Sequence, residues 1–322
     1  MRHLPEGELN LVLARHAVDR DYLSRSRPEL FDELWQNPLT RILALYEGQV
    51  LLLEEDGKAQ AALRLLEVEA VPSAQLRVYL GKSVDASTIE PAQTPVVLAV
   101  LSKNAADLVE PDSTKWHTLR KTGAGLSDRD AGLFTQALAL ANWHDTHKHC
   151  PRCGTPTVIE QGGWVRRCFK DDQETYPRTD PAIIVAIVDA QDRILLGSQG
   201  VWEQNRWSIL AGFVEPGESL GAAVIREMFE ESGLVVEDPQ YLGSQAWPFP
   251  YSLMLGFSAR VSDASPSMVA DGVEIEKLRW FSREELGAAA HEMLLPNRIS
   301  IARAIIERWY GEELISATET GA

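Results

Sequence analysis

The chain has 322 residues, 45% of them hydrophobic and 24% charged, and a formal net charge of −16. That length can bury more than one core, and the negative balance argues against a broad surface that tracks the phosphates of nucleic acid or an anionic membrane. No apolar N-terminal stretch has the pattern of a signal peptide, aliphatic runs such as residues 182–188 fall far short of a membrane span, and only three cysteines occur. Together these point to a cytoplasmic protein.

Residues 1–125 read as an α+β domain, because segments 41–71 and 74–101 hold short apolar runs of strand length separated by Gly, Asp and Ser clusters. No catalytic constellation stands out there, and Arg120 near its end is either a substrate contact or a surface charge. Residues 126–147 predict a linking helix: LSDRDAGLFTQALALANWHDTH is amphipathic, with Ser127 as the N-cap. In residues 148–175, Cys150-Pro-Arg-Cys153 and the later Cys168 supply three quarters of a zinc ribbon, and Asp171 stands where a second C-x2-C would end. A carboxylate can ligate zinc through oxygen, and His147 and His149 lie close by. Two readings stay open: a structural zinc on Cys150, Cys153, Cys168 and Asp171, or a decayed site with three reduced thiols. Neither supplies the open position that a catalytic zinc needs.

From residue 176 onward the pattern is that of a compact catalytic unit. Strands are expected at 182–188, 193–197, 207–213, 241–245, 253–261 and 277–281, with a closing helix at 299–309, giving a mixed sheet between helices. The most informative stretch is residues 212–234, GFVEPGESLGAAVIREMFEESGL, which places Glu218, Glu227, Glu230 and Glu231 on or just before one short helix. Pro216 and Gly217 form a turn, Ser219 can cap the helix, and Gly233 ends it. At about 100° per residue, Glu227 and Glu231 share the angular sector of Leu220 and Val224, so two carboxylates continue the inward stripe. A solvated acidic helix would turn them the other way. Like charges four residues apart destabilise an isolated helix by about 0.2–0.5 kcal/mol, and magnesium or manganese, which take oxygen ligands together with substrate phosphates, reverses that sign.

Further along, SQAWPFPYS at residues 244–252 alternates Trp247, Phe249 and Tyr251 with Pro248 and Pro250. Proline fixes φ and removes a donor, which predicts a stiff extended segment with the three rings on one side. Such rings either stack on nucleobases or form part of a core.

Residues 212–234 resemble the Nudix box, G-x5-E-x7-R-E-U-x-E-E-x-G-U with U aliphatic, at every specified position, with Met228 and Leu234 in the U places. The resemblance implies a C-terminal α/β/α sandwich over residues 176–322 and hydrolysis of a nucleoside diphosphate linked to another moiety, by a metal-bound water. By the same resemblance Glu227 and Glu231 are Mg or Mn ligands, Glu230 is a further ligand or base, and Arg226 orients a glutamate. Residues 244–252 are similar to the S-Q-P-W-P-F-P-x-S signature of NADH pyrophosphatases, with Ala246 replacing the first proline. That implies dinucleotide binding by Gln245, Ala246, Trp247, Pro248, Phe249, Pro250, Tyr251 and Ser252. Those enzymes also carry four cysteines ahead of the Nudix domain. Glu274 takes the place of their additional acidic metal ligand, and Tyr176, Ala302 and the Ala211 carbonyl correspond to substrate or metal contacts. The implied activity is hydrolysis of NAD(H) to AMP and nicotinamide mononucleotide by a homodimer, with NAD-capped RNA as a further substrate. Rival readings are a hydrolase of ADP-ribose or dinucleoside polyphosphates, and a nucleotide-sensing regulator without turnover.

Overall fold

The computed structural model describes residues 9–53, 61–87 and 89–320; residues 1–8 of the expected N-terminal domain lie outside them. The chain forms two compact units, one made of Arg15–Thr179 with Trp247–Tyr251, the other of Met1–Ala14, Asp180–Ala246 and Ser252–Ala322.

The first unit holds β1 (Val18–Asp19), α1 (Leu30–Gln36), β2 (Arg41–Tyr46), β3 (Gln49–Leu51), β4 (Leu76–Ser83), β5 (Pro95–Val100), α2 (Lys103–Val109), β6 (Trp116–Thr118), α3 (Leu119–Thr122) and α4 (Asp128–Thr146). Its sheet runs β1-β4-β5-β2-β3-β6, with β2 and β5 parallel from Arg41↔Val96 to Leu45↔Val100. Ile42 through Leu45 are all buried, which fits an unbroken apolar run covered on both faces. Ser127 caps α4 by accepting from the Asp130 N–H at 3.2 Å, as its sequence implies. The first turn of α4 is anchored by charge: buried Arg129 reaches Glu90 at 2.8 Å and Asp130 at 2.7 Å, while Asp130 also accepts from the Leu63 N–H at 2.9 Å. After α4 comes a three-stranded antiparallel ribbon, β7 (Val158–Glu160), β8 (Val165–Cys168) and β9 (Gln173–Thr175).

The second unit contains β10 (Asp180–Val188), β11 (Ile194–Ser198), β12 (Leu210–Phe213), α5 (Leu220–Ser232), β13 (Val236–Trp247), β14 (Ser252–Val261), β15 (Lys277–Phe281), α6 (Arg283–Ala289) and α7 (Ile301–Tyr310). The sheet order is β13-β14-β10-β11-β15, with β12 on β10; β10 and β14 are parallel from Asp180↔Ser252 to Val188↔Arg260. Alternation along β10 divides two cores. Ile183, Val185 and Ile187 join Val224 and Met228 of α5, while Ile184 and Ala186 join Ile301, Ile305 and Ile306 of α7. A strand buried on both faces between helices is what an α/β/α sandwich requires. Leu11 belongs to the α7 core, and the Leu9 N–H donates to Leu242 O at 2.9 Å.

The expected elements recur with shifted ends. β12 begins at Leu210 rather than residue 207, because Ser208 instead pairs with Gly197 as an isolated bridge, and β13 starts at Val236 rather than residue 241. The SQAWPFPYS segment departs in kind. It is strand up to Trp247, then turn, then strand again from Ser252, so the three aromatics do not line one side of an extended run. The two prolines, unable to donate to a ladder, sit in the turn. Trp247 and Phe249 meet edge to face at 4.9 Å and Tyr251 packs against His147 at 6.0 Å.

Candidate active site

The site is built on α5 and the strand that precedes it. Pro216 and Gly217 turn the chain after β12, with Gly217 at φ 96°. Ser219 then caps α5 through the Ala222 N–H at 3.2 Å, and Gly233 closes it in the left-handed conformation at φ 69°. Along α5 the inward stripe runs Val224, Met228, Glu231, and Glu231 is only 4% exposed. Its Oε2 is buried with no hydrogen-bond partner. Burial pushes the Glu231 carboxyl up to about 8, reinforced by the neighbouring carboxylates of Glu227, Glu274, Asp271 and Glu230. Glu227 is likewise raised by burial, with Arg226 pulling the other way.

Arg226 ties the acidic groups together. Its guanidinium donates to Glu218 at 2.6 and 3.1 Å, to Glu230 at 2.9 Å and to the Phe213 carbonyl at 3.0 Å, and it pairs with Glu227 at 2.9 Å. The bonded guanidinium holds the Glu218 carboxyl below the usual range. Glu218 in turn accepts from the Glu215 N–H at 2.7 Å, which fixes the loop before the helix. These bonds engage Glu218, Glu227 and Glu230, and none of them goes to Glu231.

Gly212, the first glycine of the string, and Asp271, which the sequence did not single out, complete the cluster. A Cβ at Gly212 would lie 2.0 Å from the Glu227 Cδ, so only glycine leaves that carboxylate its place beside β12. Asp271 accepts from the N–H groups of Val273, Glu274 and Ile275 at 3.3, 3.1 and 2.8 Å, shaping the loop that carries Glu274. The Asp-Gly step in VADGVE is the signal that could have found it, as an Asx turn. Ala211 lies on β12 opposite Ile184.

A buried carboxylate oxygen without a partner, beside further carboxylates, suits a hard divalent cation in its chemistry. Glu227, Glu231, Glu274 and Glu230 are near enough to act on one another electrostatically, but among the described residues their oxygens do not converge as the ribbon's ligand atoms do.

The remaining candidates lie elsewhere in the fold. The buried Gln245 amide donates to Ile299 O at 2.9 Å, just ahead of α7, where buried Ala302 sits in the first turn. Ala246 and Ser252 flank the aromatic turn on β13 and β14. Tyr176 belongs to the other unit, is exposed, and bonds Glu174.

Cys150, Cys153, Cys168 and Asp171 come together at the ribbon, with their ligand atoms all within 4.8 Å of one another. The cysteines are free thiols. Cys153 and Cys168 sulfurs are 3.6 Å apart, and Cys150 Sγ is 3.6 Å from Asp171 Oδ2. Zinc–sulfur bonds of about 2.3 Å in a tetrahedron put ligands about 3.8 Å apart, so this donor set fits a zinc ion and not a disulfide.

Comparison with known proteins follows the same division. A family model for the NUDIX domain matches residues 178–304, the NADH pyrophosphatase zinc ribbon domain matches 145–176, and the NADH pyrophosphatase-like rudimentary NUDIX domain matches 39–143. The NAD-capped RNA hydrolase NudC of Mycobacterium tuberculosis is 43% identical over 201 residues, 59% of this chain and 64% of that protein. The NAD-capped RNA hydrolase NUDT12 of Homo sapiens is 37% identical over 198 residues, 57% of this chain and 42% of that one. The chain thus spans less than two thirds of the length of these relatives. A NUDIX hydrolase crystal structure from Nitrosomonas europaea aligns with a TM-score of 0.42 at 22% identity, over 52% of this chain and 96% of its own. Residues 178–304 thus match a NUDIX domain, preceded by segments that match a zinc ribbon and a rudimentary NUDIX domain, both described by the name NADH pyrophosphatase.

Proposed function

We propose that the protein hydrolyses the pyrophosphate of NAD(H) to AMP and nicotinamide mononucleotide, and that NAD joined to the 5′ end of RNA is a second substrate. The single observation that carries this reading is the buried, partnerless Glu231 oxygen among Glu227, Glu230 and Glu274. The NADH pyrophosphatase domain set and two relatives bearing the name NAD-capped RNA hydrolase support the substrate class.

In this reading Glu227, Glu231 and Glu274, with the Ala211 carbonyl, hold magnesium or manganese. When bound, such ions neutralise the bridging phosphates and lower the pKa of an attacking water. The protein's own residues do the positioning. Arg226 fixes Glu218, Glu227 and Glu230 so that the acidic face does not reorganise during reaction. Glu230, the exposed member, would serve as a further metal ligand or as the base that takes the proton of the attacking water. Gln245, Ala246, Trp247, Pro248, Phe249, Pro250, Tyr251 and Ser252, with Tyr176 and Ala302, recognise the nucleoside ends of the dinucleotide. Zinc on Cys150, Cys153, Cys168 and Asp171 staples the ribbon and takes no part in turnover. Three free thiols suit a reducing cytoplasm, and a homodimer is the assembly that light scattering should find.

The test uses NADH, NAD, ADP-ribose and a dinucleoside tetraphosphate with magnesium or manganese, with products identified by chromatography. NADH or NAD should give the highest kcat/KM. ADP-ribose in first place would favour the rival hydrolase, and no turnover of any would favour the sensor. Glu231→Gln should abolish hydrolysis, remove the rise in Tm that manganese gives the wild type, and melt close to wild type in EDTA, because the buried carboxyl, raised to about 8, is already mostly protonated at neutral pH without metal.

A further inference from the structure

Beyond the acidic cluster, the largest unexplained feature is how the aromatic turn keeps its shape. Pro248 and Pro250 have no N–H, and the turn's own backbone supplies the Phe249 N–H to the Trp247 carbonyl at 2.7 Å. Its two proline carbonyls converge instead on one amide. Nδ2 of Asn142, in the last part of α4, lies 3.0 Å from Pro248 O and 3.0 Å from Pro250 O. Two protons on one nitrogen serve two acceptors. On the ring side, the Arg120 guanidinium lies 3.8 Å from the Phe249 centroid and 5.0 Å from that of Trp247, within cation–π range of both rings. Arg120 therefore meets the rings, where the sequence left open a contact with substrate or with solvent. A cavity of about 450 Å³ opens beside the turn, lined among others by Arg120, Leu138, Asn142, Phe249 and Pro250. Close packing does not hold the turn on that side, so the polar pin and the cation must.

We infer that Asn142 is a positioning residue for dinucleotide recognition, working with Arg120: the rudimentary domain fixes the conformation in which Trp247, Phe249 and Tyr251 are presented. This rests on the reading that residues 245–252 bind the dinucleotide. Both amide protons of Asn142 are engaged by the turn, so it acts through the turn and its loss weakens ground-state binding more than the chemical step. Its half-exposed place on a long helix makes its replacement compatible with folding.

The experiment compares the full-length wild type with Asn142→Asp and Asn142→Leu. The aspartate is isosteric but sets an oxygen against two carbonyls, and the leucine removes the donors without adding repulsion. For NADH hydrolysis with manganese, KM should rise about tenfold in Asn142→Asp and less in Asn142→Leu, with kcat within about twofold of wild type. Hydrogen exchange at the Trp247, Phe249 and Tyr251 amides should accelerate in the same order, while the amides of α5 keep wild-type protection. A wild-type KM in both variants, a loss confined to kcat, or unchanged exchange in the turn overturns the inference. A wild type that hydrolyses no dinucleotide sinks the diphosphatase reading instead; the exchange measurement then still decides whether Asn142 holds the turn.

Discussion

One missing methyl group at position 212 decides where Glu227 can stand. The nearest atoms to an added Cβ are the Glu227 carboxyl itself, the far end of a flexible side chain. The fold should therefore tolerate Gly212→Ala by swinging Glu227 aside, while the ligand geometry is lost. Expected is a fall in kcat/KM of about 10²-fold with a Tm close to wild type, checked by steady-state kinetics and calorimetry on the same preparation. A large loss of Tm with retained specific activity would count against the assignment. Glu227 and Glu231 were legible because a helix has a fixed period: 100° steps are enough to say that they share a face with Val224, whereas Gly212 and Glu218 were legible from the spacing of the string. Asp271 and Glu274 were less so. Glu274 stood on resemblance alone, and Asp271 acts through loop geometry that no periodicity encodes. Asn142 could not be read at all, since its partners lie 106 and 108 residues away.

Helix ends were the most legible of the elements. Ser127, Ser219 and Gly233 occupy the capping positions that their residue types suggest. Strand limits were set instead by pairing, as Ser208 shows. The interior of α4 carries a charge-state device that the sequence did not announce. His144 is buried, its Nε2 donates to Gly163 O at 2.7 Å, and its Nδ1 accepts from the Arg166 guanidinium at 2.9 Å. Burial pushes its pKa down to about 4, with the Gly163 bond acting the other way and the Arg166 charge adding to the fall. A base whose pKa is lower folded than unfolded stabilises the fold above its unfolded pKa, near 6.5, and that contribution is lost as pH falls from there through 4. It amounts to at most about 3 kcal/mol. Melting curves between pH 7.5 and 4 should show a destabilisation that His144→Gln, which cannot titrate, lessens; an equal slope in that variant would refute the attribution.

The ribbon makes an equally definite claim, because three thiols and one carboxylate with ligand atoms within 4.8 Å of one another form a four-ligand set of the size a zinc ion takes. Purified protein should contain about one zinc per chain by plasma mass spectrometry. Cys168→Ser should remove it, and Asp171→Cys should hold it more tightly against a chelator. Undiminished zinc in Cys168→Ser would place the ion elsewhere.

Charge acts at the scale of the whole molecule. With a net charge of −16, the protein repels a polyanion except where cations intervene. Most nucleic-acid binders weaken as salt rises through counterion release. Here the opposite sign is expected for a long NAD-capped RNA: kcat/KM should increase between about 20 and 150 mM monovalent salt as repulsion is screened, whereas free NAD should respond less. Rate measurements with capped RNAs of two lengths at fixed manganese test this, and a steep decline with salt would reveal a basic track not apparent in the overall charge. The fold class and the order of its parts were legible from the Nudix string, the cysteines and the aromatic signature. Chain topology was not, since it depends on contacts between distant segments.

Leu9 and Leu11 show what that topology entails. Residues that precede the rudimentary domain are built into the NUDIX sheet and core, through the Leu9 bond to Leu242 and the burial of Leu11. The unit that holds the NUDIX match is therefore discontinuous, begun before its neighbour and completed after it. During synthesis its first piece must wait while the intervening residues fold, and a fragment starting at residue 176 would present a gap where those leucines belong. Excising the catalytic module along the sequence would leave it sticky and incomplete, so its autonomy is that of a clasp whose two halves are fastened last.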